Sequence, residues 1–201
     1  MPDGGGSGPA PEGRPWFRHV DECEVYRGHI WRVVDARFES PEGKPFQRDI
    51  VRSPGAVATI PILFDAEGVP SVVLVRQYRA AFGEMILEIP AGMRDVEDEP
   101  IATTASRELV EEVGLVAGDL QPLVTYYPST GMTDSVLHIF IATDVQSVDR
   151  ETHGPEEDHS AVVHLPLSDA LAMIGTEILD SKTIIALLMV ERQLLAADGC
   201  T

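Results

Sequence analysis

Apolar residues along this chain change their spacing several times, and each change marks an element. From about Val20 to Arg52 the spacing is short. His29–Phe38 alternates loosely, Pro41-Glu42-Gly43-Lys44 supplies a turn, and Gln47–Val51 resumes as a partner strand. Such a β unit is too thin to be stable alone and has to pack on the rest of the chain or on a second subunit. Ala56–Phe64 and Ser71–Gln77 are continuous apolar, β-branched runs around Asp65-Ala66-Glu67-Gly68, which predicts a buried hairpin. Met85–Ile89 predicts another strand, ending at Pro90-Ala91-Gly92. The period then becomes helical. Ala102, Ala105, Leu109 and Val113 form the stripe of a helix that starts near Pro100 and stops at Gly114. Proline suits a first helical turn, and glycine suits the left-handed position just past a helix end. Leu123–Tyr127, Val136–Ala142 and Ala161–Leu165 read as further strands, Pro166–Ile174 and the strongly apolar Ser181–Leu195 as helices. There is no internal repeat. The interleaving predicts an α/β or α+β class with a mixed sheet.

Composition and charge narrow the function. A length of 201 residues suits one domain with a small appendage, and 44% hydrophobic residues are enough for a real core. Met1–Gly13 is nearly all Gly, Pro, Ser and Ala and is expected to be a disordered tail. The formal charge of −18, from 15 basic and 33 acidic residues, leaves no clustered Lys and Arg for nucleic acid and no basic amphipathic segment for a membrane surface. A phosphate substrate would be repelled by this acidity unless metal ions or local arginines intervene. Cys23 and Cys200 lie near opposite ends without metal-ligand spacing. With no leader-like opening and no run long enough to span a bilayer, a reduced cytoplasmic protein is the default expectation.

The most informative stretch is Arg107-Glu108-Leu109-Val110-Glu111-Glu112-Val113-Gly114. On a helix Glu108 and Glu112 project side by side one turn apart, with Glu111 on the flank of the same face. Like charges at that spacing cost a helix roughly 0.2–0.5 kcal/mol per pair in water. At a partly buried site the repulsion rises to several kcal/mol on a rough Coulomb estimate. A hard divalent cation removes that penalty, because Mg²⁺ prefers carboxylate oxygens, water and substrate phosphates. Arg107, four residues before Glu111, is placed to pin that carboxylate through a bidentate pair. Alone, the run would favour a solvated acidic face, which is what most Glu-rich helices are.

Its context decides. Glu88-Ile89-Pro90-Ala91-Gly92, then Glu99, then Arg107-Glu108-Leu109-x-Glu111-Glu112-x-Gly114-Leu115 resembles the Nudix box. The Glu99-to-Arg107 spacing matches that family, while Gly92-to-Glu99 is one residue longer, an insertion in the loop Met93–Asp98. The resemblance implies a Nudix-type α/β/α sandwich with a mixed sheet and a loop–helix–loop that holds Mg²⁺ or Mn²⁺ against a substrate diphosphate. It implies Glu108 and Glu112 as the main metal ligands, Glu111 as supporting them, and the Ala91 carbonyl as a backbone ligand. Gly92 would permit close approach, and Arg107 and Glu99 would orient the helix and the ligands.

The flanks Val75-Arg76-Gln77-Tyr78-Arg79, Leu87–Gly92 and Ser53-Pro54-Gly55-Ala56-Val57 resemble the ADP-ribose pyrophosphatase branch, and the likeness runs from about Gly28 to Val190. The implied organisation is a tail over 1–15, an N-terminal β unit over 16–52 for dimerisation and substrate contacts, and a catalytic domain over 53–201. The implied partners are a nucleoside diphosphate sugar and a second copy of the chain, with no nucleic acid and no membrane. Arg79 would contact the substrate's phosphates or terminal ribose, and Glu88 would hold the substrate or that arginine. Trp31 and Phe38 would stack on the adenine or else belong to the core. The acidic loop Thr152–His159 would supply the carboxylate that activates water, Glu157 first and Glu156 second, the alternative being a solvated loop. His153 and His159 lack the partners of a zinc site. Asp134 is a substrate candidate within Ser129-Thr130-Gly131-Met132-Thr133-Asp134-Ser135, a run that departs from the branch where Thr130 replaces a proline and Ser135 an acid. The expected reaction is hydrolysis of ADP-ribose to AMP and ribose 5-phosphate. The rivals are the same chemistry on another nucleotide sugar or on 8-oxo-dGDP, and a sensor that binds ADP-ribose without cutting it.

Overall fold

The computed structural model describes residues 16–151 and 158–198, which fall into two compact units. One holds the chain up to Ser53 together with Ser129–Asp134, and the other holds Pro54–Pro128 and Ser135 onward. The predicted tail lies outside the described residues, apart from its boundary near residue 16.

In the first unit β1 (Arg18–Arg27), β2 (Arg32–Glu39) and β3 (Pro45–Arg52) form an antiparallel sheet in that order. The predicted turn is present, with Ser40 N–H donating to the Lys44 carbonyl at 2.8 Å. Phe38 and Phe46 face each other across β2 and β3, their rings stacked 5.3 Å apart, and Phe17 meets Phe46 edge-on at 5.8 Å. Along its outer length β1 is exposed at nearly every residue and is tied to β2 by ion pairs such as Arg18 to Glu39 at 2.8 Å. Ser129–Asp134 joins at β3. The Val51 N–H donates to the Met132 carbonyl at 2.9 Å, and the Thr133 hydroxyl donates to the Val51 carbonyl at 2.7 Å. These bonds satisfy backbone groups at the end of β3 that would otherwise have no partner.

In the second unit the order is β12 (Ala161–Pro166), β5 (Pro70–Arg79), β4 (Ala56–Phe64), β10 (Leu137–Thr143) and β9 (Asp119–Tyr126). β6 (Glu84–Glu88) pairs with β5 and β7 (Ala91–Met93) with β4. β10 runs parallel to β4 and the other pairings are antiparallel, so the sheet is mixed as expected. β8 (Leu115–Val116) and β11 (Gln146–Ser147) make a separate small ribbon. Strand alternation explains the layers. Ala58, Ile60, Ile62, Val72, Leu74, Leu137 and Ile139 share one core with α2 (Leu167–Ala172) and α3 (Ser181–Asp198). The intervening Val73, Val75 and Ala142 pack with Leu109 and Val113 of α1 (Ile101–Val113), and Val57 and Phe140 with its Ala105. The sheet is therefore covered on both faces, the predicted sandwich.

α1 begins after Pro100, which stands just outside the helix as its cap, and ends at Gly114. There φ is 65° and the N–H bonds back to the Val110 carbonyl, so the glycine takes the left-handed position without the penalty a Cβ would bring. The expected stripe needs one correction: Ala102 is exposed, and the buried face is Thr104, Ala105, Glu108, Leu109, Glu112 and Val113. Ala102 shares the angle of Leu109 and Val113 but lies in the first turn, and burial begins only at Thr104. Leu109 is fully buried against β5. Leu109→Ala is expected to cost about 2–5 kcal/mol, read as a lower Tm of the metal-free protein. Among the described residues no helix is long and apolar enough to cross a membrane.

Candidate active site

Glu88 ends β6, and after Ile89 and Pro90 the chain enters β7, where Ala91 pairs with Ala58 and Gly92 with Val57 of β4. The Thr59 N–H donates to the Pro90 carbonyl at 2.9 Å and completes that docking. α1 packs against the same short strand, so the glutamate face of the helix is set over the backbone of Ala91 and Gly92. A Cβ added to Gly92 would land inside the Glu108 carboxylate, far closer than van der Waals contact. The glycine is needed here for close approach. Glu112, one turn on, is buried, and its Oε2 accepts the Ala91 N–H at 2.8 Å. Burial pushes its carboxyl up to about 7; the Ala91 hydrogen bond opposes that rise and the neighbouring Glu108 charge adds to it.

Arg107 does not form the predicted fork on Glu111. Its Nη1 lies 2.9 Å from both Glu108 Oε1 and Glu111 Oε2, and its Nη2 lies 3.5 Å from Glu99 Oε2. One guanidinium is thus shared among three carboxylates, because all three crowd the same side of the helix. The Thr104 hydroxyl and Arg107 hold the Glu99 carboxyl below its usual range. Among the described residues no three acidic, His or Cys side chains close around one point. A Mg²⁺ site does not require that, since the ion keeps several waters and takes one or two carboxylates with substrate phosphate. A carboxylate lying on a bare glycine backbone, beside a second carboxyl that burial alone would keep protonated, fits a hard divalent cation.

At the β5–β6 edge Glu88 is buried and holds Arg79 in a two-pronged pair, Nε to Oε1 and Nη2 to Oε2, both 2.8 Å, and the Arg79 charge is felt at Glu112. Burial pushes the Glu88 carboxyl upward, but the Arg79 hydrogen bond and the Arg79 and Lys182 charges outweigh it and leave it below the usual range. Arg79 keeps 40% of its side chain exposed, and the Glu88 pair engages only its Nε and Nη2. The Lys182 ammonium also reaches Glu88 Oε2 and lies 3.1 Å from Asp180 Oδ1.

The structure thus brings together Ala91, Gly92, Glu108 and Glu112, with Glu111 joined to Glu108 through Arg107, and sets Arg79, paired to Glu88, within electrostatic range of Glu112. Asp134 lies in the first unit, where it pairs with Arg52 at 3.1 Å and accepts the Ser53 N–H at 3.0 Å. Phe38 is engaged in the ring stack of that unit, while Trp31 is half exposed before β2. Glu156 and Glu157 lie outside the described residues. Sequence reasoning missed Lys182, Asp180 and Thr183. The available signal was that Lys182 is the only charged residue between 181 and 190.

With this geometry in hand, comparison with known proteins is consistent across three measures. The NUDIX domain profile matches residues 54–188. An ADP-ribose pyrophosphatase of Bacillus subtilis is 32% identical over 165 residues, covering 82% of this chain and 86% of its own length. A GDP-mannose pyrophosphatase of Citrobacter koseri is 38% identical over 141 residues, 66% of this chain and 72% of that protein. A crystal structure of an ADP compounds hydrolase superposes with a TM-score of 0.77 at 22% identity, over 95% of this chain and 100% of that one, which supports the fold.

Proposed function

Because this chain belongs to the Nudix family, we propose that it hydrolyses the diphosphate of ADP-ribose to AMP and ribose 5-phosphate. The observation that carries the reading is the Glu108 carboxylate laid on Gly92 beside buried Glu112. Nudix hydrolases are generally divalent-metal dependent, and Mg²⁺ or Mn²⁺ is the proposed ion here. Glu108, Glu112 and the Ala91 carbonyl would hold it, with Glu111 in support, and when bound it would neutralise the diphosphate and offset the chain's own negative field. Arg107 keeps Glu108 and Glu111 oriented. Arg79, braced on Glu88, offers its remaining N–H groups to the phosphate oxygens, holding them in the bound substrate and in the transition state alike. Water attacks one phosphorus in line, the bridging P–O bond breaks, and the water proton passes to Glu157 or, second, Glu156.

Trp31 and Asp134 are the proposed contacts to the nucleoside side, with Phe38 a weaker candidate because its ring is already stacked. A homodimer in a reduced cytoplasmic setting is the proposed form. It is supported by Phe17, Val20, Val25 and Tyr26, all exposed on or beside β1. A second reading, another nucleotide sugar as substrate, is favoured by the GDP-mannose pyrophosphatase relative and by Thr130 and Ser135.

The test is phosphate release after coupling to a phosphatase, with and without Mg²⁺, on ADP-ribose, other nucleoside diphosphate sugars, dinucleotides and 8-oxo-dGDP. The expected result is a strong Mg²⁺-dependent preference for ADP-ribose. A preference for another member would keep the diphosphatase and move the specificity to Ser129–Ser135. ADP-ribose that binds and survives incubation with Mg²⁺ would replace the enzyme by a sensor.

A further inference from the structure

We propose that Lys182 is a positioning residue for this hydrolysis: acting through Glu88, it sets the guanidinium of Arg79 and leaves part of that arginine's charge free for the substrate diphosphate. The inference rests on the reading that Arg79 meets the diphosphate.

The position is unfavourable for a lysine on local grounds. α3 begins at Ser181, and a cation in the first turn opposes the positive end of the helix dipole. Lys182 is also only 7% exposed, and a buried ammonium is costly unless paired and hydrogen-bonded. A neutral side chain would serve helix and core better, so the reason for the charge lies in what it touches.

It touches the back of the arginine brace. Glu88 gives both oxygens to Arg79, and Lys182 takes a further direction on Oε2. The terminal torsion of a glutamate is broad and roughly two-fold, so a carboxylate held from one side only has freedom to turn. A second cation on one oxygen removes that freedom and fixes the plane on which the guanidinium lies.

Charge balance points the same way. Arg79 and Lys182 pair with Glu88 and Asp180, two cations against two carboxylates, and Glu112 also lies in the field of both cations. Without Lys182, the set of Arg79, Glu88 and Asp180 carries one net negative charge, before Glu112 is counted. Glu88 then has Arg79 as its sole cation, and a dianionic diphosphate meets a more repulsive field.

The same helical turn also fixes the backbone. Asp180 Oδ2 accepts both the Thr183 N–H at 2.9 Å and its hydroxyl at 2.6 Å, and Thr183 Oγ1 in turn accepts the Ile89 N–H at 2.9 Å. Residues 88 and 89 are thereby held by α3 just before the strand that carries Ala91 and Gly92.

The test is a double-mutant cycle on the full-length chain, combining Lys182→Met with Arg79→Ala. In the otherwise unchanged protein, Lys182→Met is expected to raise KM for ADP-ribose by about tenfold or more, with kcat changed less than about threefold. In the Arg79→Ala background the same substitution should change kcat/KM by less than about twofold. Lys182→Gln, which keeps a donor to Glu88 but not the charge, serves if the methionine variant does not fold and should show the same KM effect. Equal losses in both backgrounds, or an unchanged KM, would overturn the proposal in favour of a purely structural lysine. Absence of ADP-ribose turnover by the unmutated chain sinks the substrate reading instead. The cycle is then read on calorimetric affinity for ADP with Mg²⁺, where additivity of the two substitutions again overturns the role of Lys182.

Discussion

Glu112→Gln is expected to lower kcat by about a thousandfold, on a loss of several kcal/mol of charge stabilisation, while making the metal-free protein more stable at high pH. The two effects share one cause. Glu112 is buried, and its carboxyl titrates at about 7 in the fold against an ordinary value of 4.5. The raised value means that the folded state holds its proton more tightly than the unfolded chain does. Below pH 4.5 the acid is protonated in both states and costs nothing. Between 4.5 and 7 the unfolded chain ionises first and the penalty grows, and above 7 it is complete, at most about 3 kcal/mol. Gln keeps an oxygen for the Ala91 N–H but carries no charge. The Tm difference between variant and parent in EDTA should therefore be near zero at pH 4.5 and positive at pH 8. Turnover with Mg²⁺ should nearly vanish. A variant that turns over at the parent's rate would remove the glutamate helix from the chemistry. A Tm difference independent of pH would mean that Glu112 is not held protonated in the fold.

The second large effect is expected from a single methyl group. Gly92→Ala should lower kcat by about a hundredfold, the scale of loss when a reacting group is displaced by an ångström. The added Cβ falls on the carboxylate of Glu108, the far end of a flexible side chain. That end can swing away, so the fold should survive with a Tm within a few degrees of the parent. The price is paid in geometry, because a swung carboxylate no longer lies over the Ala91–Gly92 backbone. Circular dichroism would establish the fold, and steady-state kinetics over a Mg²⁺ titration would follow the loss. Full activity at ordinary Mg²⁺ would show that the closeness of Glu108 to Gly92 has no part in catalysis.

What could be read from the sequence follows from how each feature is encoded. α1 was legible because three independent signals agree: the helical period of Ala105, Leu109 and Val113, Pro100 before it and Gly114 after it. β4 and β5 were legible because strands buried on both faces leave unbroken apolar runs. β7, β8 and β11 were not, since two or three residues carry no period at all, and Ala91–Met93 contains a glycine that argues against a strand. The exposure of Ala102 was missed because periodicity gives the angle of a stripe, which Ala102 shares with Leu109 and Val113, and not where along the helix the covering begins. The acid set of the site was visible in the Nudix-like spacing, whereas the sharing of Arg107 among three carboxylates was not, because side-chain partners depend on rotamers that spacing does not specify. Lys182 was hidden for another reason. Its partner Glu88 lies 94 residues earlier, and a lone lysine in an apolar helix is most simply read as one that reaches solvent.

Ser129–Asp134 belongs with the N-terminal β unit although more than seventy residues of chain separate them. Its ties to Val51, Arg52 and Ser53 make the unit discontinuous in sequence. For anyone building chimeras, the exchangeable part is therefore two pieces of chain. A β unit transplanted from a relative without its own six-residue return would arrive with an unmatched strand end and an arginine facing a foreign loop. Homologous recombination within this family meets the same constraint, since a crossover anywhere between residues 54 and 128 separates two stretches that form one body.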